Sequence, residues 1–229
     1  MTYLMTAAFL VCFFMGIPLA LVMGITGIVV LIAMGVPLEV VAQRMFTGID
    51  SFPLMAVPFF ILAGDLMNRG GTTVRIIGFA NSLVGHIRGG LAHACVVANM
   101  IFAGISGSSV ADASAIGSIM IPSMEKSGYD LDFSAALNSV AATIGPIIPP
   151  SIIMVIYGVS VNVSVGGLFA AGFVPGILMG LALMIVVTRV AKKKNYPTSE
   201  GFSGKRVAAE FRSSVWALMA PIIILGGIL

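Results

Sequence analysis

Gly104-Ile105-Ser106-Gly107-Ser108-Ser109-Val110-Ala111-Asp112 sets a polar tip inside an apolar run, and Thr143-Ile144-Gly145-Pro146-Ile147-Ile148-Pro149-Pro150-Ser151 breaks a second apolar run with prolines. The flanking residues are hydrophobic enough to sit in a bilayer. Glycine, serine and paired prolines release backbone amides and carbonyls from helical hydrogen bonds, and at membrane depth such groups are tolerated only against protein or a water-filled cavity. Two broken segments close in sequence therefore point to a built cavity, and the rest of the chain is organised around it.

The apolar arms Leu91 to Ala103 and Ala113 to Met124 are each too short for an ordinary span, so Leu91–Met124 is expected to be a re-entrant hairpin that enters and leaves on one side. Phe133–Val159 is expected to be a helix broken at Gly145 to Pro150. Proline lacks an amide hydrogen and its ring clashes with the carbonyl four residues earlier, so Pro146, Pro149 and Pro150 should unwind about a turn. Gly166 to Val190 reads as a full span, ended by Lys192-Lys193-Lys194, and a lysine cluster assigns that end to the cytoplasm. Counting back places the loop Glu125 to Asp132 and Arg88 on the cytoplasmic side, and the Arg69 turn and the N-terminus outside.

The remaining segments fit a polytopic membrane protein. Tyr3 to Met34 is expected as a first helix, with Pro18 inside it, ended by Pro37. Leu38 to Ile49 reads as a helix along the membrane surface, with Val40, Val41, Met45 and Phe46 opposite Glu39, Gln43 and Arg44. Phe52 to Met67 is short for a span and carries Asp65, four residues before Arg69, so a local ion pair is expected. Thr72 to Ile87 is a further apolar stretch. Gly204 to Ser214 reads as a second cytoplasmic surface helix, and Val215 to Leu229 as a run that stops in mid-span, as in a fragment.

Composition bounds the class. Of 229 residues, 59% are hydrophobic and 9% charged, with a mean hydropathy of +1.09, against roughly 25% charged residues in a soluble domain. No charge occurs from Met1 to Leu38 or from Phe133 to Thr188. The early run lacks a basic n-region and a cleavage site, so it reads as a retained segment. Cys12 and Cys95 lie in apolar surroundings and read as small buried hydrophobes. No Walker glycine loop is present, so nucleotide hydrolysis is not indicated. An enzyme would need a nucleophile with a base or a metal cluster, and Ser106 to Ser109 have only His86 and His93 nearby in sequence.

Unwound carbonyls and serine hydroxyls are ligands for an alkali cation such as sodium, and discontinuous helices use their carbonyl ends in this way at the bilayer midplane. Ser106, Ser108 and Ser109 from the tip, with the carbonyls of Gly145, Ile148 and Pro150 from the break, form a candidate shared ion site. Asp112 has two readings that both stand: an acid in a membrane hairpin is a functional candidate, and it sits where negative charge favours the amino end of the second arm. Asn99 and His93 could face the cavity, with interhelical hydrogen bonding the simpler role for Asn99. A passive channel is the alternative reading, because broken helices also form filters.

With Ile121-Pro122 between them, the two motifs resemble the large membrane subunit of tripartite ATP-independent periplasmic (TRAP) transporters, the DctM family, and the resemblance extends from the first helix through Lys194. It implies an all-α polytopic membrane protein of the elevator type, the first of two inverted repeats. It implies residues 1–70 as scaffold helices and surface helix, 71–165 as the transport part with hairpin 91–124 and broken helix 133–159, and 166–229 as scaffold helix, surface helix and the start of the next span. It further implies a symporter of the bacterial inner membrane that uses Na+ to import organic acid anions such as sialic acid or C4-dicarboxylates. Implied partners are a periplasmic substrate-binding protein and a small four-helix membrane subunit on another chain. On this resemblance Ser106, Gly145, Ile148 and Pro150 hold sodium, while Ser108, Ser109 and Asp112 are assigned to the substrate. The chain has about half the family's length, without the inverted second repeat.

Overall fold

A computed structural model describes residues 1–50, 52–198 and 201–228, and the described residues are almost wholly helical. The chain divides into two compact units, Met1–Phe52 and Pro53–Leu229.

In the first unit, α1 (Thr2–Phe14) and α2 (Leu19–Ala33) pack against each other. The single helix expected over Tyr3 to Met34 is therefore two. The cause is local: Gly16 takes a left-handed φ of +75°, and Pro18 is the N-cap of α2, so no helical hydrogen bond spans the pair. At 13 and 15 residues the two are about 20 and 22 Å long at 1.5 Å per residue, short of a hydrocarbon core of roughly 30 Å. The stretch expected over Leu38 to Ile49 is helical, as α3 (Glu39–Ile49), with Met45, Phe46 and Ile49 exposed.

The second unit begins with α4 (Phe52–Arg69), where Arg69 Nε donates to Asp65 Oδ2 at 3.0 Å, the expected i,i+4 pair. After Gly71 at φ +76°, α5 (Thr72–Val84) packs on α6 (Gly90–Ser106) and on α11 (Gly204–Ile228). Arg75 and Ser214 tie α5 to α11, with Ser214 Oγ donating to the Arg75 carbonyl at 3.0 Å. Helix α11 runs through both the expected surface helix and the expected final run as one element, and Leu229 lies outside the described residues. Nothing between Lys205 and Trp216 breaks a helix, so a change from charged to apolar residues alters what the helix faces without ending it.

Helices α6 and α7 (Ser109–Lys126) form the hairpin, joined by only Gly107 and Ser108. Then come α8 (Leu131–Ala142), an irregular stretch over 143–151, and α9 (Ile152–Ser160). Helix α10 (Val165–Lys194) is 30 residues long with a mean hydropathy of 2.3 over its most apolar window, long and apolar enough to cross a membrane. The core lies between the hairpin, α8 and α10, centred on Phe102, Ile105, Ile116, Met120, Val187 and Ala191. Asn99 and Asn138 knit its polar seam: Asn99 Nδ2 donates to the Cys95 carbonyl at 2.9 Å and to Asn138 Oδ1 at 3.4 Å, and Asn138 Nδ2 donates to the Ala113 carbonyl at 2.9 Å. This is the interhelical role expected for Asn99.

One end of this unit is clasped by the segment after α10. Lys194 Nζ and the Tyr196 hydroxyl both reach Asp130 Oδ2, at 2.9 and 2.8 Å. The Tyr196 ring lies on Tyr129 and Phe133, and Arg88 Nη1 donates to Asn195 Oδ1 at 3.1 Å. Arg88, Asp130 and Lys194 thus share one end of this unit. The Lys194 ammonium, followed by the Tyr196 hydroxyl, holds the Asp130 carboxyl below its ordinary range. A carboxyl lowered by folding contributes stability above its unfolded value of about 4, and that contribution is lost as pH falls through the lowered folded value. Asp130→Asn is therefore expected to lower Tm at pH 7 and to make little difference at strongly acid pH, measured as paired melting curves of the full-length protein.

Candidate functional site

The hairpin tip is built by two serines and one glycine. Ser106 is the last residue of α6; Gly107 follows at φ +58°; Ser108, extended, is the N-cap of α7. The Ser108 amide donates to Ser106 Oγ at 3.1 Å, and the Ser106 hydroxyl donates to Asp112 Oδ1. Asp112, one turn into α7, is fully buried, and its Oδ2 has no hydrogen-bond partner. The N-cap role belongs to Ser108, whose hydroxyl accepts from the Ala111 amide at 3.5 Å, so Asp112 does not cap the helix by hydrogen bonding.

The break is held open by Ser151. Its hydroxyl donates to the Pro146 carbonyl at 2.6 Å and accepts from the Met154 amide at 3.2 Å, closing the irregular stretch and capping α9 with one side chain. The amides of Gly145, Ile147 and Ile148 turn back to Ala142 and Ile144 at 2.9 to 3.0 Å. Among the described residues, no donor reaches the carbonyls of Gly145, Ile147, Ile148, Pro149 or Pro150. Prolines at 149 and 150 carry no amide hydrogen, and the chain leaves these acceptors unpaired while Gly145 and Ile148 to Ser151 are buried.

Tip and break touch. A Cβ on Gly107 would lie 2.6 Å from the Pro150 carbonyl oxygen and 3.1 Å from the Ile152 amide nitrogen. On Gly145 it would strike Asp112 Oδ2. The structure thus brings together Ser106, Asp112, Gly145 and Pro150, and sets Ile148 in the same break. Beside them, between α4 and the hairpin, lies a cavity of about 760 Å³ lined by Asp65, Asn68, Ser106, Ser108, Ser114 and Ile152 among others. Ser108 faces this cavity; Ser109 and Asp112 are not in its lining. His93 lies away from it, in the core, with Nε2 3.3 Å from Thr188 Oγ1 of α10.

Ser151 and Ser114 were not among the residues singled out from sequence. A serine directly after a proline pair and before an apolar run is an N-cap signal, which would have found Ser151. Ser114 had none, because its exposure to the cavity depends on where α4 packs.

Chemically the site is a set of oxygen acceptors with few donors: one hydroxyl, one carboxylate and a row of free carbonyls. Among the described residues no three His, Cys, Asp or Glu gather. Such a donor set suits a hard cation bound through oxygen and is poor for a soft transition metal.

Comparison with known proteins agrees with the motifs. The family model for the "Tripartite ATP-independent periplasmic transporter, DctM component" matches residues 6–229. The chain is similar to the sialic acid TRAP transporter permease protein SiaT of Haemophilus influenzae, 46% identical over 186 residues, 81% of this chain and 30% of that protein. It is 48% identical over 187 residues to the C4-dicarboxylate TRAP transporter large permease protein DctM of Pseudomonas aeruginosa, 82% of this chain and 44% of that one. With the isethionate TRAP transporter permease protein DctMQ of Oleidesulfovibrio alaskensis it shares 45% over 218 residues, 93% of this chain and 34% of that one. The chain spans about half the length of these relatives, or less.

Proposed function

This chain belongs to the DctM family of TRAP transporter membrane components, which are transporters and not enzymes, and on that footing we propose that it is the first half of a sodium-coupled symporter for small organic anions. The observation that carries the reading is the seating of the serine tip on a proline break whose carbonyls have no donors. Sodium, when bound, would be held by Ser106 and by the carbonyls of Gly145, Ile148 and Pro150, and its charge would draw an anionic substrate into the adjoining cavity. Ser108 and Ser114 offer hydroxyls to that substrate. Both α7 and α9 begin at the cavity wall, where helix amino ends favour negative charge. The relatives' names include two carboxylate classes and a sulfonate, so anionic character is the shared property, and a periplasmic binding protein would deliver the ligand.

In this reading the hairpin and broken helix move together as an elevator within the bacterial inner membrane. The division expected at residue 166 puts α10 with the static frame. Its packing favours motion with the hairpin, because Gly172 and Gly176 of α10 abut Ile147 and Ile148 of the break. Completion of the transporter requires the second repeat and the small four-helix subunit.

The test is uptake by the full-length transporter, reconstituted with the small subunit and the binding protein and titrated against sodium. Ser106→Ala removes one ligand from the cage and is expected to raise the sodium half-saturation roughly tenfold, equivalent to about 1.4 kcal/mol, near the upper end of the range for an ordinary hydrogen bond. Unchanged half-saturation would remove Ser106 from the site. Flux that is non-saturating and independent of sodium would favour the channel reading instead.

A further inference from the structure

We propose that Asn68 of α4 is a substrate-binding residue whose side-chain amide donates to the carboxylate or sulfonate head of the transported anion, and that Thr73 positions it. The inference deepens the anion-transport reading above and rests on it. The turn between α4 and α5 builds the arrangement. Helix α4 ends at Arg69, the Gly71 amide returns to the Asn68 carbonyl at 3.2 Å, and Gly71 turns the chain at φ +76°. Thr73, the second residue of α5, thereby comes back onto Asn68. It is buried, and its hydroxyl donates to Asn68 Oδ1 at 2.7 Å.

A primary amide carries one accepting oxygen and an NH2 group that donates. With the oxygen held by Thr73, Nδ2 is the free end of the Asn68 amide, and no acceptor meets it among the described residues. Asn68 lines the cavity of about 760 Å³ together with Ser108 and Ser114 of the hairpin. Gly64, one turn earlier on the same face of α4, lies against the tip, where a Cβ would stand 3.7 Å from the Ser106 Cα. The donor is therefore held beside the hairpin on an element that supplies none of the cation ligands. Asp65 shares this wall, and its charge would repel an anion; Arg69 Nε offsets it at 3.0 Å. Hydrogen bonds to an ionised acceptor are roughly twice as strong as neutral ones, and an amide already fixed by a buried hydroxyl loses little further freedom on binding. A carboxylate or sulfonate oxygen meets such a donor, whereas Nδ2 offers no lone pair to a cation. The competing role for Asn68 is only to fasten the turn, and it is separable because fastening needs the oxygen alone.

The experiment uses the purified full-length transporter in saturating sodium, with sialic acid, succinate and isethionate each titrated into the millimolar range and thermal stabilisation as the readout. Wild type should be stabilised by at least one of the three. Asn68→Asp keeps the oxygen that fastens the turn and removes the donors. It should melt like wild type without ligand, keep the sodium half-saturation measured without anion, and raise the anion half-saturation about tenfold or more, as for loss of a hydrogen bond to a charged group. Thr73→Val frees the amide and should raise the anion half-saturation several-fold, while Thr73→Ser should restore it. An unchanged anion half-saturation in Asn68→Asp overturns the assignment and leaves the transport reading standing. Should Asn68→Asp not fold, the pair at position 73 decides: equal anion affinity in Thr73→Val and Thr73→Ser overturns it. Stabilisation of wild type by none of the three removes the anion reading, and this inference with it.

Discussion

Gly107→Ala should unseat the hairpin from the break and abolish the sodium-dependent uptake proposed for the full-length transporter, with the folded protein destabilised by roughly 2–5 kcal/mol. Two penalties add at this residue. Its φ of +58° lies in the left-handed region, which costs an L-residue about 1–2 kcal/mol. The added methyl then meets the Pro150 carbonyl at 2.6 Å, the Ser151 Cα and the Ile152 amide. All three are backbone, in a segment fixed by prolines and by the Ser151 hydroxyl, so none can swing aside as a side chain end would. Overpacking of this kind costs about 1–3 kcal/mol. Gly128 is the internal control: its φ is +87° and a Cβ there meets nothing within 4 Å. Gly128→Ala should therefore show the conformational penalty alone, about 1–2 kcal/mol, with sodium half-saturation unchanged. Thermal unfolding of the two variants, with and without sodium, separates the terms; equal losses would mean that the contact between tip and break is not tight.

The comparison of Gly107 with Gly16 shows what sequence can and cannot disclose. Both glycines carry a positive φ, and both lie near a proline or a serine that ends a helix. Gly107 was legible because the serines around it are polar in an apolar field and stand out at once. Gly16 lies in a run of uniform hydrophobicity, where Gly and Pro are common within membrane helices, so nothing separated a tolerated Pro18 from one that divides α1 from α2. The break at Pro146 to Pro150 was legible for the opposite reason, since proline's missing amide is a local property that no packing can restore. What could not be read is the pairing across distance. That Asp112 would press on Gly145, or that Ser114 would line a cavity with Asn68, depends on how α4, α7 and α8 pack, and hydrophobic periodicity does not encode it. The single helix α11 was missed for a related reason. A charged half followed by an apolar half suggests two environments, but only a breaker ends a helix, and Pro221 lies inside α11 without ending it.

The row Gly172, Gly176 and Gly180 on α10, four residues apart and so on one face, should show a graded response to alanine that measures how firmly α10 is coupled to the proposed ion site. At Gly172 an added methyl would strike the Ile147 carbonyl oxygen and approach the Met154 Cε at 2.7 Å. Met154 can yield, being an adaptable side chain; the carbonyl cannot move without moving the break. At Gly176 the obstacle is the Ile148 side chain close to its own backbone, and at Gly180 it is Met100, reached at Sδ and Cε. Alanine in place of a helical glycine gains about 1 kcal/mol in helix propensity, which offsets part of each clash. Gly180→Ala should therefore be near neutral, while Gly172→Ala should cost about 1–3 kcal/mol net of that gain. The decisive readout is sodium. Displacing the Ile147 carbonyl shifts Ile148 and Gly145 on either side of it, so Gly172→Ala should raise the sodium half-saturation several-fold while Gly180→Ala leaves it unchanged. If both variants lose stability equally and neither alters sodium binding, α10 packs on the break without being coupled to the ion it is proposed to hold, and the assignment of α10 to the moving part loses its support.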